Sequence, residues 1–358
     1  MLFSYTYVPH QMEQMQAFID YIFHDVWCKA SAQQGFSLDL FDGLPALREV
    51  MRDFYFANPQ PKDAEFFYDH VERIYGHFQT LTDDEIAQFK YWYWSNNDLL
   101  SACANSPGSE LARYSDIEPK FKELSEKLES FFKGLYGLDV AALKAKVGDI
   151  DSYYTAFMAV NVPAKCPFCG LSDLLGKDHG PREAYDHYLP KALYPFNSIN
   201  FRNLVPACHH CNSSYKTSKD PAHVPKRRAT AGQRRKFFYP YSVTPHTLEL
   251  QVSLKHSDIE KLSPEDVDIR FGPAALSEEI ETWVDVYGIQ ERYKAKCSVD
   301  GDGKYWLTQV LDEWNVDGRT PDSYLASLSR QTVRDPYRES NFLKKAFLDG
   351  CESRGLFV

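Results

Sequence analysis

The chain has 358 residues, of which 44% are hydrophobic and 25% charged, so it is long enough for two domains and can bury a core. This composition excludes a disordered chain. The absence of any run of about 18 apolar residues predicts that no segment spans a membrane. The amino terminus lacks a basic segment followed by an apolar run, so no signal peptide is expected and the predicted location is the cytoplasm.

Charge is distributed unevenly along the sequence. The net charge is −10, and residues 1–150 hold 13 Lys and Arg against 23 Asp and Glu. Residues 216–236 hold eight Lys and Arg against one Asp. Because phosphate binding needs local rather than global positive charge, this distribution predicts nucleic acid near the middle of the chain. A solvated linker is the alternative interpretation of such a basic run.

The first elements in chain order are helices, which are expected to fill residues 10–160. Residues 116–138 carry apolar side chains at a spacing of three and four, which predicts one buried helical stripe: Phe121, Leu124, Leu128, Phe132 and Leu135. Thr82 and Glu85 form a capping-box signal that opens another helix. In that helix, residues 90–94 (KYWYW) are predicted to face a core, with a platform for stacking bases as the alternative.

From Lys165 the chain changes to short turns rich in proline, cysteine and histidine. Apolar residues then alternate with polar ones over residues 248–254 and again over 267–271, which predicts two half-buried strands. A helix is expected from Ser277 to Tyr293, followed by further helices. The order of elements indicates an α+β protein with three parts, namely residues 1–160, 161–240 and 241–358.

The eight cysteines fall into two groups. Cys28, Cys103, Cys297 and Cys351 are scattered and are predicted to be free thiols. The other four form two C-x-x-C pairs 38 residues apart: Cys166, Cys169, Cys208 and Cys211. Zinc takes four tetrahedral ligands, and two thiolates three residues apart can close on one ion, so these four predict one structural zinc per chain. The alternative, a redox C-x-x-C, normally occurs once beside a βαβ unit, which is missing here.

A second pattern is interleaved with the cysteine pairs. Asp186-His187-Tyr188-Leu189-Pro190 lies between them, Asn203-Leu204 precedes Cys208, and Asn212 directly follows Cys211. The combined order of C-x-x-C, D-H-x-x-P, N-L and C-x-x-C-N resembles the HNH endonucleases of the ββα-metal group, in the subgroup with a zinc knuckle. The resemblance covers about 55 residues, 165–219.

The resemblance implies a fold and a chemistry. The expected fold is a helical N-terminal body, a ββα-metal module stabilised by the four-cysteine zinc site, then short strands and C-terminal helices. Asp186 and Asn212 would ligate a catalytic Mg²⁺ or Mn²⁺, and His187 would be the general base, a task that suits its ordinary pKa. Asn203 would tie the strands and loop together by hydrogen bonds.

Two details of the pattern leave room for alternatives. Asp178-His179 is a second Asp-His pair, but Gly180-Pro181 follows it and predicts a solvated loop. The family commonly places a lysine three residues after the helix asparagine, whereas Lys216 stands at four. The predicted phosphate contacts are Lys191, Arg202, Lys216, Lys219, Lys226, Arg227 and Arg228, with plain surface charge as the alternative for each.

The resemblance predicts an enzyme that hydrolyses phosphodiester bonds of DNA. The alternative is a non-catalytic zinc-knuckle module that binds nucleic acid or is regulated by a partner. Prokaryotic HNH proteins with large helical regions are similar to effectors of anti-phage defence, some paired with an ATPase, so the helical body is a predicted docking surface for such a protein partner. One HNH centre cuts one strand, so double-strand cleavage would favour a homo-oligomer or two successive nicks.

Overall fold

The computed structural model describes residues 1–138, 141–163, 165–225, 228 and 230–357. Two of the predicted phosphate contacts, Lys226 and Arg227, lie outside these described residues. Fourteen α-helices and four strands are found within them, in agreement with the α+β prediction. Among these helices, none combines the length and apolar character that crossing a bilayer requires.

The first nine helices lie before the first cysteine pair, as the sequence predicts. They are α1 (Glu13–Tyr21), α2 (Pro45–Phe56), α3 (Lys62–Phe78), α4 (Asp83–Asn97), α5 (Leu99–Cys103), α6 (Tyr114–Ile117), α7 (Lys122–Leu135), α8 (Ala141–Val147) and α9 (Ile150–Val160). Short 3₁₀ or π turns join some of them: Ile22–Val26, Trp27–Lys29 and Leu38–Phe41. The helix predicted over residues 116–138 is divided between α6 and α7, and α7 begins at Lys122. Four residues of the predicted apolar stripe are buried in α7, whereas Phe121 is half-buried and precedes it.

The capping box at the start of α4 is confirmed. The Thr82 hydroxyl accepts a hydrogen bond from the Glu85 amide, and the Glu85 carboxylate accepts one from the Thr82 amide. The prediction for residues 90–94 holds in part, because Tyr93 is buried and stacks on Phe23 whereas Trp94 is exposed.

Strands and helices fill the second half. Strands β1 (Tyr185–His187) and β2 (Leu204–Pro206) pair antiparallel, as do β3 (Glu249–Leu254) and β4 (Val267–Gly272). Between the two pairs lies one π-helical segment, His210–Lys216. The remaining helices are α10 (Ser277–Tyr287), α11 (Ile289–Ser298), α12 (Tyr305–Asp317), α13 (Pro321–Arg334) and α14 (Asn341–Ser353), with short turns Pro264–Asp266, Ala274–Leu276, Asp300–Lys304 and Arg338–Ser340.

The helix expected from Ser277 to Tyr293 is interrupted at Gly288. This glycine has a φ of +61°, a left-handed conformation that ends α10 and favours glycine. A Cβ atom at position 288 would also overlap the ring of Tyr215, which belongs to the segment His210–Lys216. The absence of a side chain at Gly288 therefore lets the end of α10 pack closely against Tyr215.

Two apolar clusters form the core of the residues that the structure describes. One lies mainly between Met15 and Val147 and takes in Phe196 and Ile199 from the segment after β1. The other joins residues near the amino terminus, α5 and α9 to the cysteine region and the C-terminal helices. The clusters therefore do not divide at residue 160, because α5 and α9 pack with the second half of the chain rather than with the helical body.

Candidate metal centre and histidine site

The four paired cysteines meet in one buried cluster, as the sequence predicts. Their Sγ atoms all lie within 4.8 Å of one another, and the Cys169 and Cys208 Sγ atoms are 3.9 Å apart. A zinc tetrahedron with bonds of about 2.3 Å has sulfur–sulfur edges of about 3.8 Å. The cluster could therefore hold a metal ion such as zinc. The four scattered cysteines are buried and free.

The C-terminal helices and the amino terminus fix the backbone of the first cysteine pair. The Trp283 indole donates to the Phe168 carbonyl over 2.6 Å, and the Tyr293 hydroxyl donates to the Cys169 carbonyl over 2.8 Å. The Leu2 amide donates to the Pro167 carbonyl over 2.8 Å. Because these bonds come from distant parts of the chain, we expect that loss of a metal ion here would destabilise the packing of the second core cluster.

Arg292 of α11 contacts the cysteine cluster directly. Its Nη1 atom donates to Cys211 Sγ over 3.2 Å, and its guanidinium lies over the ring of Tyr215 at 4.7 Å. Hydrogen bonds from the other three thiols lower the pKa of Cys169, and the positive charge of Arg292 lowers it further. Burial raises the pKa of Cys166 and Cys211, so it is at Cys169 that Arg292 favours the thiolate, the form that binds metal.

Asp186 and His187 are neighbours on β1. Asp186 is only 1% exposed, and its Oδ1 atom accepts a hydrogen bond from Lys216 Nζ over 2.7 Å. Its Oδ2 atom accepts one from the Tyr287 hydroxyl over 3.2 Å. Burial raises the pKa of Asp186 above its ordinary value, and the Lys216 ammonium offsets part of that rise.

The His187 imidazole is partly exposed and has a defined orientation. Its Nε2 atom lies 2.9 Å from the Ser198 carbonyl oxygen, and the Tyr136 ring packs edge-to-face against it at 4.7 Å. Burial lowers the pKa of His187 to about 3, with further contributions from Lys191 and Lys216. The ring is therefore neutral at physiological pH.

Asn203 ties the loop after β1 to the start of β2. Its Oδ1 atom accepts from the Leu189 amide over 2.7 Å, and its Nδ2 atom donates to the Leu189 and Asn197 carbonyls over 3.0 and 3.2 Å. Asn203 is fully buried. These bonds are the kind that the predicted scaffolding role requires. Asn212 is half-buried and is the third residue of the segment His210–Lys216.

The predicted phosphate contacts lie in different environments. Lys216 is fully buried in its ion pair with Asp186 and does not face solvent, so in this arrangement it is a structural cation rather than a phosphate contact. Arg202 is exposed and lies over the Tyr7 ring at 4.1 Å. Lys191 is half-buried and donates to the Lys133 carbonyl over 3.0 Å.

Two described arginines of the basic stretch form ion pairs with acidic residues of α10. Arg228 forms ion pairs with Glu281 and Asp285, and Arg235 is bonded to Asp285 over 3.0 Å. These contacts do not fit a freely solvated linker. Lys219 is exposed, and its ammonium donates to the Val286 carbonyl over 3.3 Å. The competing pair, Asp178-His179, lies in an exposed turn, as predicted.

Tyr287, Tyr136 and Arg292 contact the site although the sequence pattern does not point to them. Tyr287 lies 101 residues after Asp186, and Tyr136 lies 51 residues before His187. No periodicity or spacing links these positions. Gly288 offers the one sequence signal, because a glycine inside an apolar helical pattern can mark a helix end.

Comparison with known proteins gives one partial relative. The chain is 44% identical over 59 residues to Protein ea31 of Escherichia phage lambda. The matched segment covers 16% of this chain and 18% of that protein. No protein-family model matches the chain, and no solved structure matches it. The chain is thus similar to the phage protein over a segment about as long as one small module.

Proposed function

We propose that the chain is an HNH-type endonuclease that hydrolyses phosphodiester bonds of DNA, with His187 as the general base. The orientation of the His187 ring carries this proposal. The Ser198 carbonyl can only accept a hydrogen bond, so Nε2 of His187 must carry the proton. The lone pair then lies on Nδ1, where a water molecule can give up its proton.

The chemistry assigned to His187 needs positive charge around a phosphate. Nδ1 would take a proton from water, the resulting hydroxide would attack phosphorus, and the bond to the leaving oxygen would break. Lys191 places a positive charge close enough to His187 to lower its pKa. A bound phosphate would offset that charge and raise the pKa of His187 toward the range in which a base is effective.

The resemblance implies a Mg²⁺ or Mn²⁺ ion held by Asp186 and Asn212. As arranged, these residues do not fit a hydrated divalent ion, because each carboxylate oxygen of Asp186 already accepts a hydrogen bond and the side chain is buried. The buried ion pair with Lys216 also favours the second candidate function, a zinc-knuckle module that binds nucleic acid without cutting it.

The helical body is proposed as a regulatory surface and as the docking site for a protein partner such as an ATPase. It touches the site at two points, since the Tyr136 ring packs on His187 and the Lys133 carbonyl accepts from Lys191. A partner that shifts the end of α7 would change access to His187. Anti-phage defence and a homo-oligomeric state remain proposals on the resemblance alone.

Plasmid cleavage tests the proposed activity. Purified chain carrying one zinc would be incubated with supercoiled plasmid in Mg²⁺ or Mn²⁺, beside an EDTA control and the variants His187→Ala and His179→Ala. His179 is the matched control, because it is an exposed histidine of the competing Asp-His pair. We expect nicking by wild type and His179→Ala and none by His187→Ala. Equal activity of wild type and His187→Ala would contradict the assignment of the base.

A further inference from the structure

The cation beside Asp186 is a side chain of the protein. Lys216 Nζ lies 2.7 Å from Asp186 Oδ1 and also donates to the His187 carbonyl over 2.7 Å. Both side chains are nearly inaccessible, with 2% of the Asp186 side chain and none of the Lys216 side chain exposed. The ammonium is therefore held between the two residues of the Asp-His pair.

The position of Lys216 follows from the segment that carries it. The segment His210–Lys216 is wound with wide π-helical turns, and the Thr217 amide donates to the Asn212 carbonyl over 2.9 Å. One turn of this segment thus separates Asn212 from Lys216. Asn212, which was expected to offer an amide oxygen to a metal, therefore lies on the same short helix as Lys216, which supplies the ammonium.

A divalent ion and this ammonium compete for the same carboxylate. Magnesium and manganese bind carboxylate oxygens directly and keep several waters, so they need a free oxygen and space around it. At Asp186 the first oxygen is paired with Lys216 and the second accepts from the Tyr287 hydroxyl. A doubly charged ion placed beside the ammonium would also be repelled strongly in a buried environment.

We propose that Lys216 is the resident cation of Asp186 and that its ion pair excludes a divalent ion from the site until Lys216 leaves. The inference rests on the proposed nuclease function, to which it adds a form of regulation. The conformation with the Lys216–Asp186 ion pair is the metal-excluding state.

Manganese binding tests the proposal without measuring cleavage. Free Mn²⁺ would be followed by electron paramagnetic resonance in titrations of zinc-loaded wild type, Lys216→Ala, Asp186→Asn and the double variant. We expect wild type and Asp186→Asn to bind Mn²⁺ equally weakly. Lys216→Ala should bind one Mn²⁺ per chain about tenfold more tightly or better, because a neighbouring positive charge is removed. The double variant should lose that gain.

Two further variants distinguish the effect of the Lys216 charge from a general loosening of the packing around Asp186. Lys216→Arg keeps a cation and should keep Mn²⁺ out. Tyr287→Phe frees Asp186 Oδ2 but leaves the ion pair, and it should also gain no Mn²⁺. A gain in Tyr287→Phe as large as that in Lys216→Ala would overturn the proposal.

If Lys216→Ala does not fold, the proposal is still tested, because Mn²⁺ binding by wild type is compared directly with that by Asp186→Asn. Tight Mn²⁺ binding by wild type that disappears in Asp186→Asn overturns the proposal. Folded Lys216→Ala that binds Mn²⁺ no better than wild type overturns it as well, even if wild type cuts DNA. Gain of Mn²⁺ by Lys216→Ala in a chain that cuts no nucleic acid supports the proposal and rejects the nuclease function.

Discussion

Arg292→Gln should weaken zinc binding at the cysteine cluster while leaving the four ligands intact. Arg292 donates to Cys211 Sγ over 3.2 Å and is partly buried against the ring of Tyr215. A hydrogen bond to a charged group contributes about 1.5 to 3 kcal/mol, and partial exposure reduces that figure. We therefore expect a loss of about 1 to 2 kcal/mol, which corresponds to about five- to thirtyfold weaker zinc binding.

A chromophoric zinc chelator provides the assay, with transfer of zinc from each protein measured at equilibrium. Lys294→Gln is the matched control, because Lys294 lies on the same helix and loses the same charge but pairs with Asp268 at 3.8 Å. Its zinc affinity should remain close to that of wild type. If both variants lose zinc to the same extent, the effect comes from net charge, and the Arg292–Cys211 hydrogen bond does not stabilise the bound ion.

Two further predictions concern stability. Asn203→Ala removes three buried hydrogen bonds at about 1 kcal/mol each, so the free energy of unfolding in urea should fall by about 3 kcal/mol, and a fall below about 1 kcal/mol would contradict the scaffolding role. Gly288→Ala should lower the melting temperature, because alanine is strained at a positive φ and its Cβ would overlap Tyr215. Gly301→Ala, where nothing lies within 4 Å of the added Cβ, should leave the melting temperature unchanged.

Local patterns in the sequence predict most of the secondary structure. The apolar stripe of α7 and the alternation in β3 and β4 are found where they were expected, because periodic burial decides which face of an element packs. The cysteine cluster was also predictable, since two C-x-x-C pairs in one chain are typical of a metal site with four thiolate ligands. The break at Gly288 was not expected, because the apolar pattern continues past the glycine and the left-handed φ of +61° that ends α10 is seen only in the structure.

The environment of the Asp-His pair could not be predicted from the sequence. The partner of Asp186 was expected to be a metal ion, and its hydrogen bonds come instead from Lys216 and Tyr287. The basic stretch was expected to offer free positive charge, yet Arg228 and Arg235 pair with acidic residues of α10. Local composition does not show which distant residues will form ion pairs. These pairs can therefore be identified only from the three-dimensional structure.

Binding and cleavage of one end-labelled DNA duplex, both measured on the same protein samples, test the proposed nuclease activity. Wild type and His187→Ala would be compared at equal zinc content, with Mg²⁺ or Mn²⁺ present. We predict that both bind the duplex with similar affinity and that only wild type cuts it. Binding by both proteins with no cleavage by wild type on duplex, single-stranded or branched DNA would contradict the nuclease and favour a binding module.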